Sequence, residues 1–542
     1  MPTQITSTFA DFFVKSPPIL WLVCGIVLCF FVLQLTGPIL GRGNTDTKRS
    51  AISVFSITCI AAYLAIAIYY AQSIVLLDHT DPTFIITSAL WGRGQPIYHA
   101  LDSANRYSLP YGPLPYMIDY EFQKILGPTI RVAKSAPVAA AISSLAILLL
   151  VIKRNASWTT SLLSCACAAI TLAFFADSSY WVRADPFLIF FVCVGLAATR
   201  LRSASASAIL CGIAMGCAAD VKVHGVLPFL PLLALILRDR GWKPAVATIP
   251  IAVIVALLPF LIFPASIPMR FYMQWLGVVA GHRLFDITLP TLLDWTLMLA
   301  LPCLIAAASF AMADANPFKR WCASYKFVLA TLAAGFILTI IPASKEGAGP
   351  HHFMPFVPIF AYLFSRLITD HPRPVRISRF IEILSGGYLI AAILIASANQ
   401  AKIVRFILRH QQSAQDAIAE IRTAPARFPG QTIAVGYSDQ ANYIQTYYRV
   451  IPVLEGNPCL IDATAIMDME EANMHLPPAT LESIRAGDTR VWLIPTGGDP
   501  FTLINFYPLH PILFPPEFRQ IFLQHYRKEP LGKVFDAWVY QP

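Results

Sequence analysis

Charged side chains are scarce in this sequence. Asp, Glu, Lys and Arg make up 13% of the 542 residues, while hydrophobic residues make up 56%. A soluble fold of this length must present a far more polar surface to water, so a soluble globular protein is excluded. The bilayer must serve as the solvent, and the chain is predicted to be a polytopic membrane protein.

Other absences exclude further classes. All cysteines except Cys459 lie in or beside apolar runs, so no disulfide framework or Cys-x-x-Cys metal site is present. No glycine-rich or Walker-type loop is present, which speaks against a nucleotide-sugar donor. The net charge of +9 is spread along the chain in small groups, which is typical of helix ends at a membrane and not of a nucleic-acid-binding patch. The first apolar run lacks a basic start and a cleavage site, so it is expected to be retained as a helix.

Long apolar runs predict the membrane-spanning helices. Eight runs of near 20 apolar residues and four shorter or proline-interrupted ones together predict about 12 spans. The eight are 18–40, 51–77, 135–152, 157–176, 245–263, 290–312, 327–342 and 381–398, and the four are 186–199, 203–219, 225–237 and 353–367. Lys and Arg are more frequent in the loops that are cytoplasmic if the N-terminus is outside. The positive-inside rule therefore predicts that loop 78–134 and the C-terminal tail face the outside.

The composition divides the chain into a membrane domain, 1–398, and a soluble extracytoplasmic α/β domain, 399–542. In the outer loop, segments 81–94 and 116–126 read as amphipathic helices that would lie along the membrane interface. In the soluble domain the expected strands are 432–436, 450–454, 490–495 and 534–540, and the expected helices are 440–447, 479–486 and 516–526.

Ionisable residues collect at the predicted outer ends of the spans. Four loops contribute them: Asp78 and Asp81; Asp177, Arg183 and Asp185; Asp220, Lys222 and His224; Lys345, Glu346, His351 and His352. Ionisable groups at membrane depth are costly and often functional, so these loops predict a common polar cavity. The alternative is that each residue contacts water and lipid headgroups on its own.

The same loops carry five short motifs in order. They are the segment from Asp81-Pro-Thr-Phe to Gln-Pro-Ile-Tyr98, then Tyr111-Gly-Pro-Leu-Pro-Tyr116, Arg183-Ala-Asp-Pro186, Lys222-Val-His-Gly225 and His351-His-Phe-Met-Pro-Phe-Val-Pro358. In this order they resemble the motifs of the GT-C superfamily of glycosyltransferases, in the group of protein mannosyltransferases and aminoarabinose transferases. The sequence departs from the pattern at Pro82, where many relatives have Glu. This leaves Asp78 as an alternative to Asp81 for the catalytic acid.

The resemblance implies a mainly α, GT-C-like fold and a reaction. Such enzymes move a sugar from a polyprenyl-phosphate carrier to a hydroxyl of a glycan, lipid or protein acceptor, with inversion. It implies a general base at Asp81 or Asp78 and a set of residues that bind the donor phosphate. That set is Lys222, His224, Lys345, His351, His352 and Arg183.

Further residues are candidates for substrate contact. They are Tyr98, Tyr111, Tyr116 and Asp185, although packing of the tyrosines within the loop is an alternative. His282, Arg283 and Asp286 could touch donor or acceptor, or could simply be solvated. No cofactor or metal ligand is assigned, and a divalent ion is left open. Membrane lipids are expected partners and nucleic acid is not, and the expected location is the bacterial inner membrane.

Two other functions would use a similar architecture. A transporter or flippase of lipid-linked sugars also needs many helices and a polar cavity, but the chain shows neither two similar halves nor ionisable residues at mid-span. A non-catalytic subunit of an assembly complex could use the soluble domain to bind its partner. Neither alternative explains an acid placed just ahead of the shaped outer loop.

Overall fold

The structure is a computed structural model that describes residues 45–175, 179–282, 315–345, 347–370, 379–506 and 512–542, with positions 299, 304, 307, 308 and 311. Predicted span 18–40 and nearly all of span 290–312 therefore lie outside the described residues. So do the candidate polar residues Asp177, Glu346, Arg283 and Asp286.

Helices occupy every predicted span that falls within the described ranges. In chain order the α-helices up to the start of the soluble domain are α1 (Thr45–Gln72), α2 (Thr80–Gly92), α3 (Leu114–Leu126), α4 (Ile130–Lys153), α5 (Trp158–Phe174), α6 (Asp185–Thr199), α7 (Ala204–Val221), α8 (Leu230–Arg240), α9 (Trp242–Ile262), α10 (Met269–Ala280), α11 (Ala315–Ala343), α12 (Val357–Thr369) and α13 (Arg379–Arg427). Short 3-10 helices precede α8 (Val223–Phe229) and α12 (Pro350–Phe356).

Among these described helices, seven are long and apolar enough to cross a membrane, and α5 and α6 are shorter apolar helices. Helices are the expected result, because a bilayer offers no water to the backbone and each span must satisfy its own N–H and C=O groups. The chain is therefore an integral membrane protein of mainly α structure.

Local sequence sets where several of these helices begin and how closely they pack. The side chains of Thr129, Ser157 and Ser203 accept hydrogen bonds from backbone N–H groups three residues later and cap α4, α5 and α7. On α7, Gly212 and Gly216 form a Gly-x-x-x-Gly pair whose backbone packs directly against α9. A Cβ at either glycine would lie within 3 Å of α9 atoms, which is the close approach that small residues allow between membrane helices.

The predicted interfacial position of segment 81–94 stays a prediction, but the segment is covered by protein to a degree that its amphipathic pattern did not predict. The segment is helical, as α2, but most of its residues are buried, from Asp81 to Ser88 and at Leu90. It packs against the soluble domain. The amphipathic pattern of the segment alone could not show that residues hundreds of positions later in the chain would cover it. Helix α3, by contrast, ends with Ile125 and Leu126 exposed, and its interfacial position stays a prediction.

The soluble domain contains a mixed four-stranded sheet with the order β1-β2-β4-β3. The strands are β1 (Ile433–Val435), β2 (Val491–Pro495), β3 (Tyr526–Pro530) and β4 (Phe535–Tyr540). Strand β2 is buried throughout, pairing parallel with β1 (Ile433 opposite Val491) and antiparallel with β4 (Trp492 opposite Trp538). The predicted strands 432–436, 490–495 and 534–540 are confirmed, while β3 was not predicted.

The predicted strand at 450–454 is wrong. Val450–Leu454 is a short helix, α14, that continues from a 3-10 helix at Gln440–Arg449. A short, wholly apolar run has no periodicity that separates a strand from a buried helix turn. Pro452, which cannot donate to a sheet ladder, was the available signal. The remaining helices are α15 (Ala463–Glu471), α16 (Pro478–Ala486) and α17 (Pro516–His525); α15 was not predicted, and the other two match segments 479–486 and 516–526.

Helix α13 joins the two parts of the chain without a break. It runs for 49 residues, past the predicted boundary at 398/399, and ends inside the soluble domain. There the carboxylate of Glu420 accepts hydrogen bonds from the backbone N–H groups of Lys533, Val534 and Phe535. The sheet is thus fixed to a helix that begins in the membrane domain.

The orientation of the chain can be tested by cysteine labelling. Asp102 in the outer loop and Ser50 at the start of α1 are both exposed. In a variant without native cysteines, Asp102→Cys is expected to react in intact cells with a membrane-impermeant maleimide, and Ser50→Cys only after the cells are permeabilised. The opposite pattern would show that the positive-inside assignment is inverted.

Candidate functional site

A cavity of about 460 Å³ lies between the ends of the membrane helices and the soluble domain. Its walls come from the loops that the sequence singled out and from the domain above them. The polar and charged residues of the wall are His79, Thr80, Tyr111, Arg183, Lys222, His224, His282, Lys345, His351, His352, Thr464 and Asp468. The predicted common cavity therefore exists, and it gathers all six residues proposed for the donor phosphate together with Tyr111.

The remaining candidate site residues do not line the cavity. Asp78, Asp81 and Asp185 each lie within a few residues of a residue that does. Tyr98 and Tyr116 are fully buried. The Tyr98 hydroxyl donates to the backbone carbonyl of Tyr111, and the Tyr116 ring packs on Phe84 with their centroids 4.8 Å apart. These contacts shape the loop, and direct substrate contact by either ring stays a prediction.

Lys222 and Asp185 form a buried ion pair. Lys222 follows α7, Asp185 begins α6, and Lys222 Nζ lies 2.7 Å from Asp185 Oδ1, with the side chains 5% and 1% exposed. The Oδ2 atom of Asp185 has no hydrogen-bond partner among the described residues. Burial lowers the pKa of Lys222 below its usual value, and the charge and hydrogen bond of Asp185 oppose that shift. The acid therefore favours the ammonium form of Lys222 at the cavity wall.

Gly112 brings the outer loop against this pair. A Cβ at position 112 would lie 1.9 Å from the backbone oxygen of Asp220, and the Gly112 N–H donates to the carbonyl of Val221. Only a glycine permits this approach. It places the Tyr111 ring with its centroid 5.3 Å from Lys222 Nζ, within range of a cation–π contact.

Asp78 is held as an ion by its neighbours. Its Oδ2 lies 2.7 Å from Arg183 Nη2, and its Oδ1 accepts from the backbone N–H and the hydroxyl of Thr80. Burial raises the pKa of Asp78, but the positive charge of Arg183, the charge of His79 and the Thr80 hydrogen bonds outweigh it and hold the pKa well below its usual range.

Asp81 has the opposite environment. It is fully buried, its Oδ2 accepts from the Leu77 N–H at 3.0 Å, and its Oδ1 has no hydrogen-bond partner in the described part of the chain. Burial and then the negative charge of Asp78 raise the pKa of Asp81 to about 7, against the opposing influence of Arg183, the Leu77 N–H and Lys134. Two acids three residues apart are thus driven to different protonation behaviour, which is typical of functional sites.

Three histidine rings form a stack beside Lys222. The His224 and His352 centroids are 4.8 Å apart and those of His351 and His352 are 4.5 Å apart. Rings this close do not all carry a positive charge at once, because like charges repel. His352 Nδ1 lies 3.1 Å from the carbonyl oxygen of Gly349, which can only accept a hydrogen bond. In the neutral ring Nδ1 therefore carries the proton and Nε2 is the acceptor. The stack supplies polar groups more than positive charge.

Lys345 provides a further cation at the cavity wall. Its Nζ donates to the carbonyls of Val279 at 3.1 Å and Ala280 at 2.8 Å, at the C-terminal end of α10. Unsatisfied carbonyls and the helix dipole favour a positive charge at that end. These carbonyl groups hold the ammonium at the cavity wall, and none of the hydrogen bonds described for it is to a carboxylate.

The sequence did not point to the roof of the cavity. Thr464, Met467 and Asp468 from α15 and Phe506 from the loop after β2 form it. Phe506 stacks on His79 with centroids 5.5 Å apart, and His282 Nε2 lies 3.0 Å from the carbonyl of Asp468. No local motif marks these residues, because α15 reaches the cavity only through the packing of the soluble domain. In the described ranges no three His, Cys, Asp or Glu side chains are grouped as a metal site.

Two solved structures of ArnT from Cupriavidus metallidurans, one in the apo state and one bound to undecaprenyl phosphate, superpose on this chain with TM-scores of 0.55 and 0.54. The chain has the ArnT fold. The identity is 12%, and the match covers 90% of this chain and 98% of each ArnT chain. The GT-C-like fold predicted from the order of the motifs is thereby confirmed; at this identity the ArnT likeness concerns the fold alone. No family model and no curated protein matches the sequence.

The buried pair in this ArnT-like fold predicts how Lys222 variants behave. Lys222→Ala leaves Asp185 buried and unpaired, so we expect it to destabilise the protein by about 3 to 5 kcal/mol, beyond any effect on turnover. Lys222→Met combined with Asp185→Leu removes both charges and is expected to recover most of the melting temperature. Melting in detergent, followed by size exclusion, measures this. Equal melting temperatures for Lys222→Ala and the wild type would contradict the pairing.

Proposed function

We propose that this protein is a membrane glycosyltransferase that moves a sugar from a polyprenyl-phosphate donor to an acceptor hydroxyl, with inversion. The observation that carries the proposal is the convergence, in one cavity of an ArnT-like fold, of Arg183, Lys222 and Lys345 with a turn that bears an aspartate of raised pKa. Such a cavity combines anion binding with proton removal.

The walls suit a phosphate attached to an apolar chain. Charged groups in a site of limited water access bind phosphate oxygens more strongly than in bulk water. Leu276, Val279 and Pro342 line the same cavity and provide an apolar surface for the carrier. One of the similar ArnT structures is bound to undecaprenyl phosphate, which supports the choice of a polyprenyl-phosphate donor here.

The chemistry needs one base and several cations. The leaving group is a phosphate anion that requires no proton, so Arg183, Lys222 and Lys345 act by stabilising its growing charge. The acceptor hydroxyl must lose a proton as it attacks C1 from the face opposite the phosphate, and a carboxylate within hydrogen-bond reach can take it. Formation of the new C–O bond and cleavage of the C1–O phosphate bond then invert C1.

Asp81 is the preferred base and Asp78 the alternative. A general base works best when its pKa lies near the operating pH, as for Asp81. Asp78 is bound by Arg183 and Thr80 and is the weaker base. Its better-supported role is to orient Arg183 toward the phosphate. Asp81 directly follows Thr80, which lines the cavity, so the acceptor would approach past Thr80.

From the positive-inside distribution we propose that this cavity and the soluble domain face the outside, and that the membrane is the bacterial inner membrane. The acceptor would then be a glycan, lipid or protein hydroxyl outside the cytoplasm. Tyr111 and Asp185 would act at the donor side through Lys222, and a divalent ion is not required by this mechanism.

The decisive experiment follows the fate of the donor. Purified protein in lipid nanodiscs is incubated with a panel of radiolabelled polyprenyl-phosphate sugars and a total envelope lipid and glycan extract. We expect one donor to lose its label to an acceptor with release of polyprenyl phosphate. A flippase would move the donor unchanged across a vesicle and a non-catalytic subunit would ignore it, so either of those results would overturn the proposal.

The pH dependence separates the two aspartates. With Asp81 as base, transfer is expected to fall as the pH drops through about 7, since the protonated acid cannot accept the hydroxyl proton. Asp81→Asn should lower transfer by at least about a hundredfold with normal insertion. With Asp78 as base, the rate would stay flat well below neutral pH, and Asp78→Asn, not Asp81→Asn, would be the variant that loses transfer. Initial rates from pH 5 to 9 on both variants measure this.

A further inference from the structure

The turn that carries Asp78 and Asp81 is held from above by the soluble domain. We propose that Arg449, braced by Asp462, is a positioning residue that fixes this turn in its working conformation. A catalytic role of Arg449 rests on the proposed function, whereas its role in fixing the turn rests on the contacts alone.

Arg449 is a buried cation that joins the two domains. It is 3% exposed, and its Nε donates to Asp462 Oδ2 at 2.6 Å. Its Nη2 donates to the carbonyl of His79 at 3.0 Å and to the Thr83 hydroxyl at 3.1 Å. His79 lies between the two aspartates and Thr83 lies one helical turn into α2. The planar guanidinium suits this arrangement, because it directs several N–H groups at fixed angles.

Other groups of the soluble domain bind the same two residues. The Thr83 hydroxyl donates to Asp462 Oδ1 at 2.7 Å, and the Thr464 hydroxyl donates to the His79 carbonyl at 3.0 Å. Asp462 also caps α15 through the Thr464 N–H. The network therefore connects the helix that roofs the cavity to the turn that forms its wall.

The membrane domain holds the other side of the turn. Lys134 Nζ donates to the carbonyl of Ser73 at 2.9 Å and also to that of Val75, just before Leu77, whose N–H donates to Asp81. The stretch 73–83 is thus fixed at both ends by buried cations from different domains. A buried network of this kind gives a unique geometry only while all its members are satisfied.

Loss of the Arg449 contacts should admit water to the turn. Burial is the largest influence that raises the pKa of Asp81, so hydration should lower that pKa. The charges acting on Asp81 are those of Asp78, Arg183 and Lys134, and the phenols of Tyr70 and Tyr447 also face it. Arg449 is not among the largest influences on the pKa of Asp81, so a shift in the pH profile would report mainly hydration of the turn.

The test uses the full chain with Arg449→Met and Asp462→Asn combined, because a single change would leave a buried charge unpaired. Asparagine retains the helix cap. The matched control is Arg422→Met with Glu455→Gln, an exposed ion pair of the same domain. Thr83→Val keeps both charges of the pair and removes only the hydroxyl that hydrogen-bonds to each of them from the membrane domain.

Amide hydrogen exchange, which needs no turnover, is measured first. We expect at least about tenfold faster exchange in 73–83 for the double variant and for Thr83→Val, from the loss of one or two hydrogen bonds, with β2 and β4 unchanged. The control should match the wild type. Unchanged exchange in 73–83, or equal acceleration throughout the soluble domain, would overturn the proposal.

Transfer kinetics then test the catalytic meaning. We expect kcat to fall about tenfold or more with little change in donor KM, and the acid limb of the rate profile to move to lower pH. Faster exchange with unchanged kcat and pH profile would remove the positioning role while leaving the glycosyltransferase assignment intact. If the wild-type protein consumes no donor, the glycosyltransferase assignment fails, and with it any catalytic role of the turn. The exchange data would still show whether Arg449 fixes the turn.

Discussion

A charged group that is removed from water loses several kcal/mol of solvation free energy, and a partner of opposite charge or a set of hydrogen bonds must compensate for that loss. This constraint organises the cavity. Asp78 has Arg183, Asp185 has Lys222, and Lys345 has the carbonyl groups at the end of α10. Each pair joins residues from different loops, so the ends of the helices are tied together by the charges they share. Asp81 has one oxygen that accepts a hydrogen bond and one without a partner among the described residues, and burial raises its pKa to about 7.

The loops can meet this closely because small residues allow it. Gly112 lets the outer loop lie on the backbone at the end of α7, and that contact brings Tyr111 over Lys222. Within the membrane domain, Gly212 and Gly216 let α7 approach α9. Where lipid offers no hydrophobic driving force between helices, such close contact is a main source of association. The position of Lys222 therefore depends on packing some distance below it.

The soluble domain is part of the site and not an appendage. Helix α13 carries it from the membrane, Glu420 fixes its sheet, and α15 roofs the cavity. The buried ion pair of Arg449 and Asp462 reaches the turn at His79. Replacing both charges of such a buried pair by apolar groups is often nearly neutral, so the pair need not add to the stability of the interface.

The sequence by itself determined where the described membrane helices lie and which loops bring ionisable residues to the cavity. Hydropathy suffices to locate the helices because a bilayer forces backbone hydrogen bonds to form within each span. The cost of placing charge inside the membrane explains why Arg183, Lys222, Lys345 and the histidines lie at the ends of the spans. Only the tertiary structure decided which acid meets which cation, that α2 is covered, that Val450–Leu454 is helical, and that Arg449 lies against His79. Those outcomes depend on contacts between residues far apart in the chain, and the local pattern of side chains does not encode which distant surface arrives to bury them.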